Sequence, residues 1–291
     1  MSARWAVALA LLWLPAAARA AGSMSVSEEL DAEYGYVGGA ITRGSGLTGH
    51  SVDEHSADVR FVVSPQITRD WLWRFGLEWQ RFTFGVPAHV PVPDVLQQAS
   101  AVIGFDFQLA DQWLMRAEVE PGRYSDFRDV SWRDVDAPLV LGGVYLVEPD
   151  LQWFFGLRMD VRTRFPVLPA AGVRWRFSDD WTLNLLFPKP RLEYALNDSC
   201  LFYLGADIVA GTFRVGERFG TDRGWPKLNG ELVDFLEFRG GPGVSWKIRP
   251  NLTLEAEGGW MPYREFVFNH VDVTFRSHNA PYAQIALHAR F

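Results

Sequence analysis

The chain has 291 residues, of which 14% are aromatic, a formal net charge of −7 and a single cysteine, Cys200. An acidic chain without a run of basic residues is a poor candidate for binding nucleic acid, because such binding depends on Lys and Arg that neutralise the phosphate charges. One cysteine cannot form a disulfide within the chain. After the N-terminal segment, no apolar run reaches the roughly eighteen residues that a membrane-spanning helix requires. We therefore expect no helical anchor, no nucleic-acid partner and no intrachain disulfide.

The N-terminal residues have the pattern of a secretory signal peptide. Arg4 precedes an apolar run over residues 5–18, and small residues flank Arg19. This order of a positive start, a short apolar run and small residues predicts a signal peptide over residues 1–21. The polar, acidic residues 22–30 are predicted to form a short periplasmic segment ahead of a folded domain over residues 31–291.

Within that domain, apolar and polar residues alternate with the period of two that is typical of β-strands. The clearest strand has one wholly apolar face, made of Trp71, Trp73, Phe75, Leu77 and Trp79. Its opposite face carries Arg74 and Glu78, because successive side chains of a strand point to opposite sides. The same rule predicts fourteen strands, near residues 31–41, 54–64, 71–84, 97–109, 113–124, 137–147, 151–163, 167–177, 181–187, 191–196, 200–213, 231–248, 252–263 and 281–291.

The connections between these strands are of two kinds. Short polar turns lie near residues 110–112, 148–150, 178–180 and 249–251, and longer loops rich in Gly, Pro, Asp and His lie at 42–54, 85–95, 125–136, 216–230 and 264–280. Short turns at one end and long loops at the other are typical of transmembrane barrels, with the short turns and both termini in the periplasm. The fold prediction is all-β, a single antiparallel transmembrane β-barrel of about 14 strands. Twelve or sixteen strands remain open, depending on how the Pro-Lys-Pro segment at 188–190 and residues 264–276 pair.

The last strand, YAQIALHARF, places Ala283, Ile285, Leu287, Ala289 and Phe291 on one apolar face. It resembles the C-terminal strand of Gram-negative outer-membrane β-barrels, which implies location in the cell outer membrane, contact with outer-membrane lipid and recognition of Phe291 by the barrel-assembly machinery. The segments LNLLFPKPRLEYAL and LFYLGADI are similar to outer-membrane barrel families grouped as domains of unknown function. Those families imply a fold and no activity.

Charged residues on the polar faces are candidates for lining the lumen of this barrel. They are Arg74, Glu78, Asp106, Arg116, Glu118, Arg158, Asp160, Arg162, Arg174, Arg176, Glu255 and Glu257, with Glu120, Asp207, Glu237, Arg239 and Lys247 as further inward positions. Fixed charges in a solvated pore select which solutes enter. The alternative is an internal network of ion pairs that fills a narrow lumen. A lumen of about 14 strands is too wide for side chains alone, so water or an inward-folded loop, 216–230 or 264–280, is expected to occupy it.

Residues 50–56, HSVDEHS, contain the residue types of a catalytic or metal site on an outer loop. A lipid hydrolase would need Ser and His on neighbouring strands with an orienting acid, and His50, Asp53, Glu54 and His55 could ligate a metal. Loops collect such residues by default, so we predict no catalytic residue, no metal and no cofactor.

The predicted function is a porin-like channel for small solutes. One alternative is a closed structural or adhesive barrel that acts through its extracellular loops, and another is an outer-membrane lipid-modifying enzyme. A soluble β-sandwich is disfavoured because its strands would expose rows of Trp and Phe to water. The sequence specifies no solute and no oligomeric state.

Overall fold

The computed structural model describes residues 25–129 and 131–291, so the predicted signal peptide over 1–21 lies outside the described residues. We number the strands by the fourteen spans that they form. The spans are β1 Val26–Gly44, β2 Leu47–Pro65, β3 Trp71–Gly85, β4 Val95–Ala110, β5 Trp113–Val119 with Gly122–Ser125, β6 Val135–Asp136 with Leu139–Glu148, β7 Leu151–Met159, β8 Val167–Arg176, β9 Trp181–Asn184, β10 Arg191–Asn197, β11 Cys200–Arg214, β12 Leu232–Arg249, β13 Leu252–Phe268 and β14 Val273–His278 with Ala280–Arg290.

Each strand pairs antiparallel with its neighbours in the chain, and the sheet closes where β14 meets β1. The closing register runs from Glu29 opposite Arg290 to Val37 opposite Tyr282. Pro188 to Pro190 form the turn between β9 and β10, which pair directly. The prediction of a closed antiparallel barrel with fourteen strands is therefore confirmed, and neither twelve nor sixteen strands are formed.

The outward faces of the strands are apolar and exposed. Leu77 has 68% of its surface exposed, and the neighbouring Trp and Phe residues of β3 are exposed as well. Aromatic rings pack together on this outer surface beside the short turns, with ring centroids 5.3 Å apart for Trp71 and Phe107 and 4.8 Å apart for Trp113 and Tyr145. An apolar belt edged by aromatic side chains suits a barrel surrounded by lipid.

Two of the segments predicted to be long loops are mostly strand, so the prediction is wrong there. Residues 42–54 belong mostly to strands, because β1 continues to a tight turn at Ser45 and Gly46 and β2 begins at Leu47. Residues 264–280 are also mostly strand, because β13 continues to Phe268 and β14 begins at Val273. Both segments look like loops because they are rich in Gly, His and Asp, yet their inward residues include Val52, Phe266 and Phe275, which are buried.

Two other boundaries differ from the sequence prediction. The first strand begins at Val26, inside the segment over 22–30 that was predicted to precede the barrel. The seventh strand ends at Met159, so Asp160 and Arg162 lie in the following loop instead of on a strand. Short helical turns occur within the loops and at the tip of β13, at Trp132–Asp134, Thr221–Arg223, Pro226–Leu228 and Asn269–Val271. No helix among the described residues is both long and apolar enough to cross a membrane.

The barrel wall is tall on one side and low on the other. Strands β1, β2, β12 and β13 have 19, 19, 18 and 17 residues, whereas β7 to β10 have 9, 10, 4 and 7. Above the low side, the tip of β5 reaches β11 directly, where the backbone N–H of Asp126 donates to the Arg214 carbonyl at 3.0 Å. Residues 167–171 of β8 pair only with β7, and residues 209–213 of β11 pair only with β12. The sheet is therefore interrupted between β8 and β11 above the short β9–β10 hairpin.

Candidate functional site in the barrel lumen

The long-loop end of the tall side is filled by apolar side chains, which we call the apolar plug. Its inward-facing aromatic residues include Phe82 and Phe84 of β3, Phe235 of β12 and Phe266 of β13. The ring centroids of Phe84 and Phe266 are 5.0 Å apart, and those of Phe82 and Phe235 are 4.9 Å apart, which are ordinary packing distances for aromatic pairs. The plug closes this part of the lumen.

Loops complete the plug from above. Phe219 and Leu228 come from the connection between β11 and β12, and Val90 and Val92 come from the connection between β3 and β4. All four side chains are buried. The predicted loop over 216–230 therefore packs onto the interior, while the other loop proposed to fold inward, 264–280, forms the tops of β13 and β14. The upper inward face was predicted to be mostly polar, and in the plug it is apolar.

A ring of four charged residues, the ion quartet, lies directly beneath the plug. Glu54, Glu237, Arg239 and Arg264 are each no more than 2% exposed. Glu54 accepts from Arg239 at 2.6 Å and lies 2.8 Å from an Arg264 nitrogen, and Glu237 contacts both guanidinium groups. Two carboxylates and two guanidinium groups alternate, so the quartet has no net charge. Such pairing is required because an unpaired charge at this depth would be strongly unfavourable.

Below the quartet, towards the short turns, lies a charged cavity of about 400 Å³. Its lining includes Glu33, Asp58, Arg60, Glu78, Lys189 and Asp207. Arg60 bridges three carboxylates, donating to Glu78 at 2.5 Å and to Glu120 at 3.1 Å and contacting Glu118. Lys189, from the turn between β9 and β10, donates to Glu33 of β1 at 2.7 Å. The cavity is thus lined by both signs of charge, with a larger number of acidic groups.

Most of the predicted lumen residues meet in this lower region. Arg74 lies 3.2 Å from Glu118, Arg116 donates to Asp106 at 2.7 Å, and the Arg158 guanidinium lies 3.5 Å from Glu120. Glu255 pairs with Arg191 at 3.0 Å, and Glu257 accepts from the Tyr282 hydroxyl. Arg176 lies at the short-turn rim with Asp150, and Arg162 contacts Asp136 from the loop after β7. Arg174 forms no ion pair within the described part of the chain and is exposed.

Residues 66–290 match the model of a domain of unknown function, DUF6268. This chain belongs to the DUF6268 family. No curated protein matches it. Among solved structures, it is similar to the COG4313 outer membrane channel from Pseudomonas putida F1, at 10% identity over 95% of this chain and 99% of that one with a TM-score of 0.48. It is also similar to the NanC porin, at 13% identity over 89% and 98% of the two chains with a TM-score of 0.38, and to the toluene transporter TodX from P. putida, at 11% over 93% and 91% with a TM-score of 0.38.

The histidine-rich segment of this DUF6268 barrel is not a loop. Residues 50–56 lie on β2, so their side chains alternate between the two faces of the wall. Glu54 points inward into the quartet, whereas His55 lies on the outer face and contacts the Tyr34 hydroxyl at 2.7 Å. The described residues hold no group of three His, Cys, Asp or Glu side chains arranged to bind a metal ion. His50 and Glu54 therefore lie on one face of β2 and Asp53 and His55 on the other, because successive side chains of a strand point to opposite sides.

Several charged lumen residues were missed by the sequence analysis. Asp31 and Glu33 of β1 and Asp58 and Arg60 of β2 all face inward, where Asp31 lies 2.7 Å from His288. The same alternation that identified Arg74 and Glu78 places them there, because Leu30, Ala32 and Tyr34 occupy the outward positions of β1. Glu54 and Arg264 were missed for another reason, since both fell in segments predicted to be loops.

Proposed function

We propose that this DUF6268 barrel is an outer-membrane channel for small solutes, with a route that passes beside the apolar plug. The outer-membrane location is supported by the closed barrel and its apolar outer belt. A large apolar outer surface is unfavourable in water and favourable in contact with lipid.

The proposal rests on one observation: the plug lies to one side of the lumen instead of across all of it. Among the described residues, every member of the plug lies on β2 to β5, on β11 to β14 or in the loops between them, and none lies on β6 to β10. Inward side chains on the low side stay partly exposed: Arg158 has 40% of its side chain exposed and Leu168 of β8 is 42% exposed. A barrel of fourteen strands encloses more space than its side chains fill. Water therefore has room along β6 to β9, where the sheet is also interrupted.

Single-channel recording tests this proposal. The mature protein, refolded in detergent and inserted into a planar bilayer in KCl, is expected to give steady openings. Phe266→Ala, which opens the plug, is expected to give larger openings, whereas Leu77→Ala on the lipid face leaves conductance unchanged. Correct folding is checked by heat-modifiable gel mobility. A correctly inserted protein that stays silent, together with a silent Phe266→Ala variant, contradicts the channel.

The closed structural or adhesive barrel is the second candidate, and one observation favours it. The plug and the ion quartet seal the tall side with side chains that are almost fully buried. If the seal extended across the whole lumen, the barrel would act only through its loops. In that case insertion would be normal, the bilayer would stay silent, and deletion of loop residues 217–229 would open the barrel instead of merely enlarging existing openings.

A further inference from the structure

The low side of the lumen has a mostly apolar inner face, which Arg158 and Gln152 of β7 interrupt. Arg158 points into the lumen towards Glu120, so the strand alternation fixes which residues of β6 to β8 face inward. They include Val140, Val144 and Leu146 of β6, Phe154 of β7 and Leu168 of β8, which together we call the apolar wall. Each of these side chains is partly exposed, in contrast to the buried residues of the plug.

The apolar wall is concave because small residues lie between its large ones. Gly142 pairs with Gly156, and Gly156 pairs with Ala170, so one row across three strands carries almost no side chain. A Cβ added at Gly156 would have its nearest neighbour at 3.6 Å, and one at Gly142 would have its nearest at 3.9 Å. Both added carbons would therefore make ordinary van der Waals contacts and would meet no clash. Adjacent strands lie about 4.8 Å apart and rise about 3.3 Å per residue, so the inward face from Val140 to Leu146 across three strands measures roughly 10 by 20 Å. The row of small residues forms a trough across it.

At the short-turn end of this trough stands a positive charge that no described residue pairs. Arg174 of β8 faces inward, and its register partners Gln152 on β7 and Asn184 on β9 are neutral. Arg74, Arg116 and Arg158, the other inward arginines nearby, all have carboxylates within 4 Å. A guanidinium group favours bidentate contact with a carboxylate, and the described residues supply none to Arg174.

We propose that the apolar wall and Arg174 form a binding site for small carboxylates with an apolar body, such as arylalkanoates. The body would lie along Phe154 and Leu168 over the small residues, and the carboxylate would pair with Arg174. This inference rests on the proposed channel, since it names the class of solute that the channel takes. Both features are needed, because an apolar face alone would accept any hydrophobe and a lone arginine alone would accept any anion.

Equilibrium binding tests the site independently of transport. The probe is 4-phenylbutyrate, titrated calorimetrically into the full mature protein in lipid nanodiscs, with heats from empty nanodiscs subtracted. Acetate, which lacks the apolar body, and 4-phenylbutanol, which lacks the charge, are the comparison ligands. We expect saturable binding of 4-phenylbutyrate at least tenfold tighter than that of either comparison ligand.

Variants assign the binding to the named residues. Arg174→Gln is expected to weaken 4-phenylbutyrate binding at least tenfold and to leave 4-phenylbutanol unaffected, while Gly156→Leu, which fills the trough, weakens both. Arg176→Gln is the matched control, because Arg176 lies on the same strand and already pairs with Asp150. It is expected to change binding less than twofold.

Two results would overturn the inference, and neither can be confused with failure of the channel. If Arg174→Gln has native gel mobility and binds 4-phenylbutyrate as tightly as the unmodified protein, Arg174 is not part of the site. If acetate binds as tightly as 4-phenylbutyrate, the apolar wall does not contribute to binding. A protein that conducts but does not bind 4-phenylbutyrate refutes the ligand class and keeps the channel, whereas a protein that binds it but stays silent in bilayers refutes the channel and keeps the site.

Discussion

The apolar plug and the apolar wall are both made of inward-facing apolar residues, yet only the plug is closed. In the plug, Phe266 has no exposed surface, whereas Leu168 of the wall is 42% exposed. The difference follows from strand length. The long strands of the tall side project high enough for loops to insert Phe219 and Leu228 between them, but the short strands β7 to β10 end below that level. An apolar inner face therefore becomes a seal only where a loop covers it.

The largest expected effect comes from breaking the ion quartet, which supports the plug from below. Arg264→Met leaves Glu54 and Glu237 buried with a single guanidinium group, and removing one partner of a buried ion pair costs about 3–5 kcal/mol of stability. Urea-induced unfolding in lipid vesicles measures this change. Arg276→Met, on a more exposed pair with Glu265, is expected to change stability by less than about 0.5 kcal/mol. Equal effects of the two substitutions would show that the quartet is solvated.

Replacing Phe with Ala is expected to cost more stability in the plug than on the apolar wall. Phe266→Ala in the plug is expected to lower the free energy of unfolding by about 3 kcal/mol, because it leaves a cavity among rings that cannot close it. Phe154→Ala on the apolar wall is expected to cost less than about 1 kcal/mol, since the lost side chain is already partly exposed. The same unfolding experiment checks both. A cost for Phe154→Ala as large as that for Phe266→Ala would mean that the wall is covered.

A smaller effect is expected on ion selectivity. Arg60→Gln removes the cation that bridges Glu78, Glu118 and Glu120, so the cavity becomes more acidic. The ratio of cation to anion permeability is expected to rise about twofold, as fixed lumen charge sets selectivity. Reversal potentials in a KCl gradient give this ratio, and Arg69→Gln, in the short turn outside the lumen, serves as the control. No change in the ratio would place the ion route away from the cavity.

Much of the barrel follows from the sequence because the outward faces of the strands are apolar. Outward rows such as Trp71 to Trp79 repeat with a period of two, which locates most of the strands and limits the number of spans. The same signal misjudged the tall hairpins, since their tips lie beyond the outer belt and carry Gly, His and Asp. Asp160 and Arg162 were misplaced because the alternation continues past the last ladder pair of β7.

The lumen was harder to predict than the wall. Alternation identifies which side chains point inward, and it placed Arg74, Glu118 and Glu237 correctly on that face. It cannot say which inward residues meet across the barrel, because Glu54 and Arg239 are 185 residues apart in the chain and come together only when the barrel closes. The contrast between plug and wall likewise depends on strand height and loop position, which no local pattern encodes.

Cysteine modification tests most directly whether solutes pass along the apolar wall, as we propose, and not through the plug. In a Cys200→Ser background, Gly156→Cys places a thiol on the wall and Val233→Cys places one in the plug at a fully buried position. A charged, water-soluble methanethiosulfonate reagent added during single-channel recording is expected to cut the current of the Gly156→Cys channel by at least half and to leave the Val233→Cys channel unchanged. Block at Val233→Cys with no effect at Gly156→Cys would contradict the account.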